Sequence, residues 1–400
     1  MNLRSDNNAP LIPEARAGLL AAAEGQAIGY GDDPLSERAV ESLRALFGAA
    51  TEVFFVATGT AANTLAIAAL SEPWQRILCH RESHWYEDES TAPERITLCR
   101  STPISPQTDP TRLTPADLEP VLARPGGVHH PAPGVLTLSN STEFGTVYAP
   151  AQLAALARLA HAHDYRLHVD GARFANAVAH LITTTGSDPV AACRALTVDA
   201  GIDALSLGGT KAGLAYGEAI LLFPQVSAAA AHAARRLPFL RKSTGHLLSK
   251  HRFVTGPFAH ALADHAWLRH AAHANAMADR LTAQIAELER ANEAQRQFVS
   301  DVAHELRTPT TALLASARRP LWHPARPVAA SVATPVAAPA APPAPMVLAP
   351  EAPAPAVSPV VEVAQPVIRR RERIATPRRD GATAAPSRPA RDRGPNRAPI

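Results

Sequence analysis

Three short phrases place reactive side chains beside small, turn-forming residues: ATGTAAN at 57–63, HVDGARFANA at 168–177 and SLGGTK at 206–211. A lysine that serves only as a solvated charge normally sits on an exposed helix face, whereas Lys211 follows a Gly-Gly-Thr turn after an apolar run. In a partly desolvated pocket a lysine amine can lose its proton and condense with an aldehyde. Asp170 closes the run YRLHVD, where a carboxylate can face a ring nitrogen. Gly59 and Thr60 open a run of good helix formers after EVFFVATG, and the free amides and dipole of such a helix start suit a phosphate. A fourth phrase, CHRESHWYEDESTAPE at 79–94, sets His84 in a loop after a strand, suited to lie over a ring or to move protons.

Taken together, a lysine amine, an acid and a phosphate-holding helix start are what pyridoxal 5'-phosphate asks of a protein. Singly each has a plain alternative, since most lysines are surface charges and most Asp-Gly pairs are turns. Their order and strand-end placement carry the reading.

Side chains can act together only if the elements between them hold them. Between residues 50 and 225, apolar runs (EVFFVATG, QRILCH, GVLTLSN, YRLHVDGA, DALSLGG, EAILLF) alternate with helical stretches such as GTAANTLAIAALS and PAQLAALARLAHAHD. That alternation predicts an α/β fold: a mostly parallel sheet flanked by helices, with functional groups at the carboxyl ends of the strands. From Leu237 to about Arg290 the pattern is helical, followed by a charged amphipathic helix and a tail rich in Pro, Ala and Arg.

Composition bounds the alternatives. The 400 residues are 46% apolar, enough for a sizeable core. The net charge of +3 comes from the tail, which carries Arg369, Arg370, Arg371 and seven further arginines after them, so charge implies no nucleic-acid surface on the folded part. About half of the 37 prolines lie beyond Arg319, in a segment too poor in apolar surface to offset its ordering entropy, and the expectation there is disorder. The 3 cysteines match no metal-binding spacing, and their scarcity suits a reducing compartment. There is no signal-peptide pattern and no apolar stretch of roughly 18 residues for a membrane span, so the expectations are a cytoplasmic location, no membrane, no nucleic acid and no metal.

The phrases LRSDNNAP, YGDDP, ATGTAAN, SHWYEDESTAPE, STEFGTVY, HVDGARFANA and SLGGTKAG, in this order, resemble the low-specificity L-threonine aldolases of the β-eliminating lyase and threonine aldolase superfamily. The likeness runs from Asn2 to about Ala283. It implies fold type I of the pyridoxal phosphate enzymes, and a homo-oligomer (dimer or tetramer) with sites shared between subunits. The implied reaction is retro-aldol cleavage of β-hydroxy-α-amino acids to glycine and an aldehyde. It also implies roles: Lys211 holds the cofactor's aldehyde, Asp170 its ring nitrogen, and Gly59 and Thr60 its phosphate. His84 stacks on the ring, while Ser5 and Arg173 grip the substrate carboxylate, which suits Arg173's planar fork. His84 is the first choice of base for the β-hydroxyl proton and Glu89 the second.

Two departures stand out. Ser90 and Thr91 replace the family's usual Cys-Gly, and after HANAMADRLTAQIA the family's small C-terminal domain gives way to other sequence. The segment RQFVSDVAHELRTPTTALL resembles the H-box of sensor histidine kinases, in which His304 would accept phosphate with Glu305 beside it, although no ATP box follows. Histidine phosphotransfer through His304 is therefore the alternative function. The expected organisation is an aldolase-like domain at 1–235, partial C-terminal helices at 236–285, an H-box-like helix at 286–319 and a disordered tail at 320–400.

Overall fold

In the computed structural model, which describes residues 5–123 and 127–317, seven strands form one sheet. They are β1 (Glu52–Val56), β2 (Gln75–His80), β3 (Arg100–Ile104), β4 (Ala132–Ser139), β5 (Arg166–Gly171), β6 (Ala204–Gly208) and β7 (Glu218–Leu222). Their order is β1-β7-β6-β5-β4-β2-β3. All neighbours pair in parallel except at β7, which runs against both β6 and β1. This is the mostly parallel, helix-flanked sheet expected of fold type I.

The six apolar runs became β1, β2, β4, β5, β6 and β7. Strands β6 and β7 are buried along their whole length because helices cover both faces, which is why they read as continuous apolar runs. Alternate residues feed two cores: Phe55, Leu78, Leu136, Leu205 and Leu221 join one, while Val56, Ile77, Val135, Ala204 and Ile220 join the other. Each such fully buried Leu, Ile or Val side chain contributes about 2 kcal/mol. Strand β3 was not expected, since RSTPI has no apolar run and contains a proline. It pairs only with β2 at the sheet edge, where Pro103's missing N–H costs no ladder bond.

The helix Gly59–Leu70 is buried continuously from Ala61 to Leu70, packed between the sheet and the helix Ala228–Ser243. Thr58 starts it by accepting the Ala61 N–H on its hydroxyl. Cys79, Cys99 and Cys193 are free and buried. At the C-terminal end, Arg252–Leu262 leads into a single helix, Ala266–Ala317, which passes residues 285 and 286 without a break. The Pro/Ala/Arg tail, and its expected disorder, lies outside the described residues. Among the described residues, no helix is long and apolar enough to cross a membrane.

Candidate active site

The parallel strands end on one edge of the sheet, and register brings distant residues together there. Ser139 pairs with Asp170 and Asp170 with Ser206. Because β7 is antiparallel, its first residue, Glu218, reaches the same edge, between Gly208 and Val56. A cleft of about 370 Å³ opens here, within the size range of small-molecule sites. Gly59, Thr60, His84, Asp170, Arg173 and Lys211 all line it.

Asp170 is 8% exposed and both its oxygens are held: Oδ1 accepts from the Ala172 N–H at 2.9 Å and Oδ2 from Asn63 Nδ2 at 2.7 Å. The same Asn63 nitrogen donates to Glu89 Oε1 at 2.8 Å, and that oxygen lies 3.1 Å from His84 Nδ1. A chain of polar groups thus runs from Asp170 through Asn63 and Glu89 to His84. Burial pushes the Glu89 carboxyl up from its usual range, and the bond to Glu89 raises His84 above its ordinary 6.5 against the opposing effect of burial. With Nδ1 donating to the carboxylate, Nε2 has no partner among the described residues. His84 is fixed a second way, since its backbone N–H donates to Glu143 Oε1 at 2.8 Å, an oxygen that also accepts the Ser139 hydroxyl at 2.6 Å.

Lys211 stands in the short 3-10 turn Thr210–Ala212 that follows β6, and the turn closes at Gly213 with φ of 89°, a left-handed backbone that favours glycine. Lys211 is half-buried, and no described residue holds its amine by a hydrogen bond or ion pair. Across the cleft, the amides of Gly59 and Thr60 lie in the first turn of their helix and have no intrahelical acceptor. A Cβ built on Gly59 would meet nothing within 4 Å, so the backbone there is open to a ligand.

Arg173 donates from Nε to Asp6 Oδ2 at 2.7 Å, which steers the side chain and leaves its terminal nitrogens for an anion. Ser5 is exposed, and its hydroxyl accepts the Asn7 N–H at 3.2 Å to start the turn Asp6–Asn8. Ser5 is not part of the cleft wall. The N-terminal residue that lines the cleft is Asn7. Glu89 sits behind the wall as the partner of His84 rather than in it. One donor atom each from His84, Glu89 and Asp170 lies within 4.8 Å of the others, and the Asn63 amide already bridges the two carboxylates. His304 falls within the helix Ala266–Ala317, and its side chain lies outside the described residues.

Sequence reasoning missed Asn63 and Glu218. The signal for Asn63 was a lone amide in an otherwise small and apolar helix, and for Glu218 a lone acid opening a wholly apolar strand.

The beta-eliminating lyase family model matches residues 2–307. The chain is 39% identical over 284 residues to the low specificity L-threonine aldolase of a Pseudomonas species, covering 71% of this chain and 78% of that protein. Against the low specificity L-threonine aldolase of Pseudomonas aeruginosa the identity is 40% over 284 residues, with the same shares of 71% and 78%. Among solved structures, the threonine aldolase of Leishmania major superposes with a TM-score of 0.60 at 27% identity, over 70% of this chain and 77% of that one. An aromatic-amino-acid aminotransferase from Burkholderia pseudomallei, covalently bound to pyridoxal phosphate, shares the fold at 16% identity, with a TM-score of 0.51 over 70% of this chain and 71% of that one. With this cleft and these matches, the chain belongs to the beta-eliminating lyase family.

Proposed function

We propose that this protein uses pyridoxal 5'-phosphate to cleave L-threonine and related β-hydroxy-α-amino acids to glycine and an aldehyde. One observation carries the reading: Lys211, Asp170 and the open helix start at Gly59–Thr60, distant in sequence, line one cleft. The donor set fits the cofactor. Lys211 offers an amine unclaimed by other described side chains, and the Gly59 and Thr60 amides offer donors for the phosphate with open space before them. Asp170 offers a carboxylate fixed from two sides for the ring nitrogen. The relatives are low specificity L-threonine aldolases, which agrees with this set.

When bound, the cofactor supplies an aldehyde for the substrate amine and a ring that takes up the electrons of the broken carbon–carbon bond. The protein does the rest. Asp170 keeps the ring-nitrogen proton in place, and its own geometry is kept by Asn63 and Ala172. Arg173 binds the substrate carboxylate through the nitrogens that Asp6 leaves free. His84 takes the β-hydroxyl proton on Nε2, while Glu89 holds its Nδ1 proton and stabilises the charged ring that results. Glu89 is therefore a positioning partner of the base in this reading.

The same reading includes an assembly of two or four copies, supported by the family resemblance and by Phe144 and Tyr216, exposed at 50% and 38% beside the cleft. It also includes a cytoplasmic location, supported by three free cysteines. The test is aldehyde release from L-threonine by the purified protein supplied with pyridoxal phosphate. Continuous acetaldehyde and glycine formation in equal amounts is expected. Neither product from threonine or its β-hydroxy analogues would overturn the proposal.

A further inference from the structure

One buried carboxylate in the cleft wall has no part in the steps above. Glu218 is 6% exposed and opens β7, a strand otherwise made of Ala, Ile and Leu and buried throughout. A carboxylate there is costly, and burial pushes it up to about 7. Its surroundings show what offsets the cost. Glu218 Oε2 accepts the Gly209 N–H at 2.6 Å, and the N–H and hydroxyl of Thr210 also support the carboxylate. Gly209 and Thr210 are the two residues immediately before Lys211.

We propose that Glu218 is a positioning residue for Lys211: by gathering the donors of Gly209 and Thr210 it fixes the turn that presents the lysine amine to the cleft. The inference rests on the reading of Lys211 as the residue that holds the cofactor's aldehyde. Geometry favours this role over that of a mere strand cap. Because β7 runs antiparallel to β6, its first residue lies at the carboxyl edge, opposite Gly208 and within reach of the loop leaving β6. The loop needs such a hold, since Gly208 and Gly209 restrict the backbone little and Lys211 itself is not tied to any described side chain. A side-chain oxygen at this reach is what the Gly209 N–H requires of its partner.

The test separates reach from charge. Gln at 218 keeps an oxygen on the Gly209 N–H but loses the charge, whereas Asp keeps the charge but is one methylene too short for the bond. Each variant is incubated without substrate with pyridoxal phosphate, reduced with borohydride, and the rate of labelling at Lys211 is followed by peptide mass, with circular dichroism as the check on folding. Glu218→Gln is expected to label within about threefold of the wild-type rate and Glu218→Asp to fall by about tenfold or more, the scale on which small misplacements act. Aldehyde release should follow the same order, with KM for threonine nearly unchanged.

The reverse order, or equal labelling in all three proteins, would overturn the proposal. So would a Glu218→Gln chain that fails to fold, since the amide keeps the acceptor. Absence of Lys211 labelling in the wild-type protein would instead overturn the reading of Lys211 on which this one stands.

Discussion

Two histidine–carboxylate pairs lie at opposite ends of the same sheet, and they differ in what is left over. At the carboxyl edge, His84 Nδ1 meets Glu89 Oε1 at 3.1 Å, but Glu89 Oε2 and Asn63 Oδ1 are buried without a partner. At the amino end of β6, His161 Nε2 meets Asp203 Oδ2 at 2.8 Å, and there the account closes. Asp203 Oδ2 also takes the Leu167 N–H at 2.7 Å, and Oδ1 takes the Ser227 hydroxyl. Both pairs raise the histidine above its ordinary 6.5 by the same hydrogen bond. A saturated network stitches helix to strand, whereas the cleft-side pair serves a histidine that lines the cleft.

Breaking each pair tests the contrast, and the largest effect belongs to the cleft itself. Lys211→Ala should cut aldehyde release by roughly a thousandfold or more, because among the described residues no second amine lines the cleft to replace it. Steady-state kinetics with threonine will show it, while the melting temperature stays near that of the wild type. Next comes Asp203→Ala, which strands the Leu167 N–H, the Ser227 hydroxyl and His161. It should cost about 3 kcal/mol of unfolding free energy in urea titration and leave the labelling of Lys211 by pyridoxal phosphate unchanged.

Two smaller effects depend on pH. Glu89 raises His84, so Glu89→Gln should move the acid limb of the pH–rate profile to lower pH, because a less basic His84 loses its proton earlier. An unmoved limb would remove His84 as the base. His161 is held protonated above its ordinary 6.5, so its stabilisation is complete below about 6.5 and is lost as pH rises through the elevated value. The melting-temperature gap between wild type and His161→Gln should therefore be small, widest at acidic pH and gone in alkaline buffer.

Much of this was legible in the chain alone, for stated reasons. Six strands announced themselves because burial on both faces demands unbroken apolar runs, and Asp170 and Lys211 were visible because each ends or follows such a run. Strand β3 was hidden because an edge strand needs neither an apolar run nor every N–H. Asn63 was hidden because its meaning depends on Asp170 and Glu89, 107 and 26 positions away. Glu218 was hidden because the direction of β7 is a property of the assembled sheet and leaves no local mark. Ser5 lies outside the cleft wall, where its hydroxyl accepts the Asn7 N–H, and Asn7 is the neighbour that lines the cleft.

The central claim is that Lys211 is the amine that holds pyridoxal phosphate opposite Asp170. The most direct measurement is mass mapping of the protein after reduction with borohydride in the presence of the cofactor, with the visible absorbance band followed before and after. The account predicts one modified peptide, carrying its adduct on Lys211, and loss of the visible band on reduction. An adduct on another lysine, with Lys211 recovered unmodified, would contradict it.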